Sequence, residues 1–210
     1  MADVQLIVER LLQSYPAPKL ELHFHTPLEL LIAVILSAQC TDARVNEVTD
    51  SLFRKYGSAR AFADADPEEL EQEIHSTGFY RNKARNVMAC CQRVAEAYGG
   101  TVPETLEALL TLPGVGRKTA NMVRGNVFGQ PAIAVDTHVL RVSQRLGLVH
   151  TRDADEAEQE LTVQIPEAQL TAFSNALILH GRRICTSRHP RCAECTLCSL
   201  CVWEAREPCS

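Results

Sequence analysis

Residues 112–120, LPGVGRKTA, interrupt an apolar helical pattern with Pro113, Gly114 and Gly116, and the pattern then resumes as RKTANMVRGNVFG over 117–129. Two helices therefore meet across a tight turn, the first running from about Glu104 to Leu110 and the second stopping at Gly129. A helix that starts this way presents unpaired N–H groups and the positive end of its dipole, an arrangement suited to an anion such as a phosphate. Lys118 falls in the first turn beside Arg117. It reads either as an amine placed next to a bound anion or as a surface lysine at an ordinary helix–helix turn.

Outward from this turn the chain reads as helices. Val4, Ile7, Val8, Leu11 and Leu12 mark a first amphipathic helix that Pro16 and Pro18 close. Thr26, Pro27 and Glu29 form a cap and capping box before LELLIAVILSAQ, which is apolar on all sides and is the expected core element, with Ser37, Ala38 and Gln39 at its far end. A third helix is expected over Asp42 to Tyr56, and Asp66 with Glu69 caps a short one that ends near Gly78. A longer helix follows from Arg81 to Tyr98. Pro131 to Val135 is an extended link, and Asp136 begins the helix THVLRVSQRLG. Asp153 with Glu156 caps the next, and Leu170, Phe173, Leu177 and Ile178 stripe the last long one. No strand pattern stands out, so the expectation is an all-α protein of about ten helices with short connections.

The 210 residues are 46% hydrophobic, enough for a buried core in one domain or two small ones. No stretch approaches the roughly 20 apolar residues of a membrane span, and MADVQLIVERLL lacks the basic lead-in of a signal peptide. A cytoplasmic protein is expected. The net charge of -5 argues on its face against a polyanionic partner. Its distribution argues the other way, because Gly78 to Arg145 holds nine basic residues (Arg81, Lys83, Arg85, Arg93, Arg117, Lys118, Arg124, Arg141, Arg145) against four acids. A bipolar surface is one reading and ordinary solvated helix faces the other.

Five of the nine cysteines fall between Cys185 and Cys201, a clustering that suggests metal binding over a disulfide framework. Cys185, Cys192, Cys195 and Cys201 form C-x6-C-x2-C-x5-C. Four thiolates this close require a neutralising cation. Zinc sites usually pair two short C-x-x-C elements, whereas a four-iron four-sulfur cluster is wider and tolerates unequal spacing; the spacing favours the cluster and leaves zinc open. Arg188, His189 and Arg191 make the loop cationic, so it is a candidate phosphate contact. Cys198 is a spare thiol or a rival ligand, and Cys40, Cys90 and Cys91 read as small core residues.

LPGVGRKTA, then VDTH starting seventeen residues after the lysine, then the four-cysteine loop, with SAQ on the central helix, together resemble endonuclease III, a family of the helix-hairpin-helix DNA glycosylase superfamily. The resemblance spans essentially the whole chain. It implies two helical domains flanking a DNA-binding cleft: a barrel-like domain over residues 22–131 carrying the hairpin 112–116, and a second formed by 1–21 with 132–210 around the cluster loop 185–201. It implies removal of oxidised pyrimidines from duplex DNA and β-elimination at the abasic site, with Lys118 as nucleophile and Schiff-base former. An amine must be unprotonated to attack, and the helix start and Arg117 both disfavour the ammonium form of Lys118.

By the same likeness Asp136 is the second catalytic residue, a carboxylate whose N-cap bonds favour its ionised form and which stabilises positive charge on the sugar; its plain alternative is a helix cap only. Gln39 and Phe79 take the positions that fill the gap left by a flipped base, although leucine is usual where this chain has Phe79, and a partly buried aromatic is the competing reading. Leu112, Gly114, Val115, Gly116 and Arg117 would contact the DNA backbone, as would Arg188 and Arg191, while His138 points into the cleft or satisfies a helix end. The implied cofactor is one 4Fe-4S cluster held by Cys185, Cys192, Cys195 and Cys201, with a monovalent cation on the hairpin carbonyls when DNA is bound. The implied partner is damaged double-stranded DNA, bound by a monomer associated with the nucleoid. Relatives that excise mispaired adenine or thymine generally lack the hairpin lysine, and a noncatalytic DNA-binding module is the reading from another class.

Overall fold

The computed structural model describes residues 3–206 with 208 and 209. Among these the chain is all-helical, with eleven α-helices, four short 3₁₀ turns and no strand. Contacts divide it into two compact units, Leu20–Gly129 and Met1–Lys19 with Gln130–Ser210. No helix among the described residues is long and apolar enough to cross a membrane.

The Leu20–Gly129 unit is built on α2 (Pro27–Leu36). All seven residues from Leu30 to Leu36 are buried, and each of the leucine and isoleucine side chains contributes about 1.5–3 kcal/mol through removal from water. The helix packs against α3 (Asp42–Lys55), α6 (Tyr80–Ala97) and α8 (Arg117–Val127), which explains why no face of it is polar. Thr26 accepts from the Glu29 amide and Glu29 accepts from the His25 amide, so the start of α2 is tied from both sides. The helix ends earlier than expected: Ser37 caps it, and Ala38 and Gln39 lie beyond it in a turn.

One element of this unit had no sequence signal. Residues Ala59–Ala63 form a single α-helical turn, α4, capped by Ser58 and anchored by Phe62, which is 1% exposed. Five residues are too few to show a 3.6-residue period, and the turn persists because it packs on α6. α5 (Pro67–Glu73) and a 3₁₀ turn (His75–Thr77) then lead into α6. α7 (Leu106–Leu110) precedes the hairpin and packs on α8.

In the other unit α1 (Val4–Ser14) and α9 (Thr137–Arg145) both pack on α11 (Leu170–Arg183), and Ile7, Leu11, Val139, Phe173 and Leu177 share one core. α10 (Ala154–Gln164) adds Ala157 and Leu161. The extended link before α9 satisfies its backbone with side chains: the Ala132 and Ala134 amides donate to the hydroxyls of Thr171 and Ser174 on α11. An apolar strand-like segment thus stays buried without a sheet.

Candidate functional site

The hairpin follows directly from its glycines. The Val115 amide donates to the Leu112 carbonyl at 3.1 Å, closing the turn, while Leu112 and Val115 are buried beneath it. Gly114 has φ +76°, and a Cβ there would lie 2.9 Å from the Asn86 Cβ on α6. The position therefore demands glycine twice, by backbone conformation and by close approach. Gly116, exposed and extended, is the N-cap of α8, and no side chain caps the helix. Arg117 and Lys118, both half-buried, are its first two residues. The Ala120 amide is the first to bond back to Gly116, so the N–H groups ahead of it lie at the positive helix end.

Two further candidates share an unusual backbone. Gln39 (φ +53°) and Phe79 (φ +48°) are left-handed non-glycine residues; Ala17 is the third such residue among those described. Each such conformation costs about 1–3 kcal/mol. Phe79 is 64% exposed, which excludes the buried-aromatic reading. It stands at the N-cap of α6 directly after Gly78, itself at φ +73°. An apolar ring exposed on a left-handed backbone marks Phe79 as a candidate binding residue.

Asp136 is the N-cap of α9. Its Oδ1 accepts from both the His138 and Val139 amides at 2.8 Å. Among the described residues Oδ2 accepts no hydrogen bond, so the cap function uses one oxygen and leaves the other for a second partner. His138 is half-buried beside Gly181 of α11, with Nδ1 3.2 Å from Arg141 Nη2.

The cationic surplus read from the sequence shrinks in the structure. Lys83 is 4% exposed. Arg141 donates to the carbonyls of Gly181 and Cys185, and burial pulls its pKa down. Arg145 donates to the Thr186 and Ser187 carbonyls and to Cys185 Sγ, and its guanidinium lies 3.8 Å from the Trp203 ring centroid. Arg191 donates to the Arg183 carbonyl and to Glu194. Lys83, Arg141 and Arg145 of that surplus act largely as internal ties, as does Arg191 of the cysteine loop. Arg188 is exposed on the same loop.

Cys185, Cys192, Cys195 and Cys201 are free, half-buried thiols lining one pocket with Val142, Leu146 and Ile184. Burial, reinforced by the other three thiols, pushes Cys195 up to about 11 and raises Cys201 as well, so the set ionises together only against a strong cation. Among the described residues no three metal-binding side chains converge on a single ion position. Four thiols lining a shared pocket are compatible with a 4Fe-4S cluster. Cys198 pairs with Cys209 in a disulfide and is thereby removed from the ligand set. Cys90 and Cys91 are buried as expected, whereas Cys40 is half-exposed beside Gln39 and not a core residue.

Residues 32–167 match a family model described as HhH-GPD superfamily base excision DNA repair protein. The endonuclease III of Synechocystis sp. is 49% identical over 200 residues, covering 95% of this chain and 90% of the relative. That of Escherichia coli K12 is 40% identical, covering 95% of each. Among solved structures, a trapped endonuclease III–DNA covalent intermediate superposes with a TM-score of 0.91 at 46% identity, covering 96% of this chain and 97% of that one. A thermostable thymine-DNA glycosylase superposes with a TM-score of 0.87 at 25% identity, covering 95% of each.

Proposed function

Because the chain belongs to the HhH-GPD superfamily of base excision DNA repair proteins, and to its endonuclease III branch, we propose that this DNA glycosylase is bifunctional, removing oxidised pyrimidines from duplex DNA and cleaving the resulting abasic strand. The observation that carries the reading is the position of Lys118, second residue of a helix whose start has no side-chain cap and whose hairpin is fixed by Gly114 against Asn86. A phosphate held by the first amides of α8 would bring the neighbouring sugar to the amine.

In the reaction Lys118 Nζ bonds to the sugar C1′ as the glycosidic C–N bond breaks and its electron pair leaves with the base. Ring opening gives an imine. Loss of a C2′ proton then drives out the 3′ phosphate, and water releases the lysine. Asp136 Oδ2 is assigned to the positive charge that develops on the sugar, its Oδ1 already being engaged by the α9 amides. Gln39 and Phe79 fill the space of the extruded nucleotide, the ring contributing a stacking contact where the endonuclease III pattern has leucine. Gly114, Gly116, Arg117 and Arg188 are assigned to phosphate, while Leu112 and Val115, buried beneath the turn, hold its shape.

Cys185, Cys192, Cys195 and Cys201 would hold the 4Fe-4S cluster. When bound it supplies charge neutralisation and four covalent ties that order residues 185–201, and the protein part of that order comes from Arg145, which joins Cys185 to Trp203. The hairpin carbonyls are assigned a monovalent cation in the DNA complex.

Borohydride trapping tests the proposal. Incubation with DNA carrying thymine glycol, followed by borohydride, is expected to give a covalent protein–DNA adduct; Lys118→Ala is expected to abolish it and to lower strand cleavage by more than about 10³-fold. No adduct from the unaltered protein would point to a monofunctional glycosylase, and an adduct surviving Lys118→Ala would assign the amine elsewhere.

A further inference from the structure

Lys83 is a buried lysine in the first turn of α6 that the reaction does not use. It is 4% exposed. Burial alone disfavours its ammonium, and so does the positive end of the helix it sits in. Its Nζ donates to the Thr77 carbonyl at 2.8 Å, the one hydrogen-bond acceptor it has among the described residues, and its amide donates to the Phe79 carbonyl at 3.1 Å. The side chain therefore holds the Thr77 end of the bend, and the helix backbone holds the Phe79 end.

The segment it grips contains the two consecutive left-handed residues Gly78 and Phe79. Thr77 is 1% exposed, and its hydroxyl donates to the Ile74 carbonyl at 2.8 Å. The Gly78 amide donates to the His75 carbonyl at 3.2 Å. The floor of the bend is thus bonded and buried while the Phe79 ring stands in solvent. Burial lowers the Lys83 pKa and Cys40, the neighbour of Gln39, raises it, so the lysine lies within electrostatic reach of the other left-handed turn.

We propose that Lys83 is a positioning residue that holds the Thr77–Phe79 bend in its strained form, so that Phe79 is aimed outward before DNA arrives. An unheld bend would relax Phe79 out of the left-handed region, and its ring would have to be reoriented during binding. This rests on the reading of Phe79 as the group that fills the extruded nucleotide's place, so the two must fail separately.

The experiment compares Phe79→Ala, Lys83→Met and the double variant of the full chain on duplex DNA with a thymine glycol flanked by 2-aminopurine, whose fluorescence reports unstacking. Phe79→Ala is expected to lower the extrusion signal and base removal about tenfold, the scale of one stacking contact. Lys83→Met is expected to lower both several-fold, with the double variant no worse than Phe79→Ala and borohydride trapping on a preformed abasic site nearly unchanged. A normal Phe79→Ala would overturn the reading of Phe79. A defective Phe79→Ala beside a normal Lys83→Met, or losses that multiply in the double variant, would overturn the role of Lys83. Should Lys83→Met fail to fold, Lys83→Gln, which keeps a shorter donor, carries the same comparison.

Discussion

Two helix starts in this protein carry the candidate catalytic residues, and they are finished in opposite ways. Eight of the eleven α-helices among the described residues begin with a side chain that accepts a backbone amide, α9 among them through Asp136. α8 begins at Gly116 with no such bond. Side-chain caps contribute about 0.5–2 kcal/mol each, and the proposed phosphate contact would take the place of one at α8. The other two uncapped α-helices are α11, which continues from a 3₁₀ turn, and α6, which starts at Phe79. Two of the three exceptions therefore coincide with candidate DNA contacts. An open helix end acts as a receptor for an external anion, and a closed one as a rigid mount for its own carboxylate.

Charge and cap can be separated at the closed end. Asp136→Asn keeps an N-cap acceptor of equal quality and removes the charge, so base removal should fall about 10²–10³-fold while thermal stability barely moves. Full activity in single-turnover assays would reduce Asp136 to a cap. The open end can be closed by Gly116→Asp, because that residue is already extended and nothing lies within 4 Å of a new Cβ. A carboxylate there competes with phosphate for the same amides, and DNA affinity measured by fluorescence anisotropy should weaken roughly 10- to 100-fold, consistent with the charge-assisted bonds at stake. Unchanged affinity would show that α8 does not receive the backbone.

The same two positions should move stability in opposite directions. Asp136→Ala should cost about 1 kcal/mol and lower Tm by roughly 2–4 °C, whereas Gly116→Asp should raise Tm by a degree or more. A smaller effect is expected outside both helix starts. Arg188→Ala should weaken binding only a few-fold across all sequences and reduce the salt dependence by about one phosphate contact. Arg191→Ala, by contrast, should affect the order of the cysteine loop, since its bonds go to Arg183 and Glu194.

The capping residues made most of the fold legible in the sequence. Thr26 with Glu29, Asp66, Asp136 and Asp153 all cap the helices they announce. The hairpin was legible because glycine and proline act locally. What the sequence hid depends on distant partners. The five-residue α4 exists through its packing on α6, and Arg141 and Arg145 look like surface charge until the fold brings carbonyls and cysteines some 40 residues away against them. Nor could spacing show that Cys198 finds Cys209. The left-handed backbones of Gln39 and Phe79 were equally silent, because neither residue type favours φ > 0 and only the surrounding turns impose it.

Phe79 has a consequence for anyone improving this protein in the laboratory. A 64% exposed ring on a left-handed backbone is a liability by every measure that ignores DNA. Selection for heat resistance or expression alone should discard it early in favour of glycine or asparagine, and under the role proposed for Phe79 the resulting variants would be sturdier and worse at extruding a damaged base. Screening such a library must include a lesion from its first round.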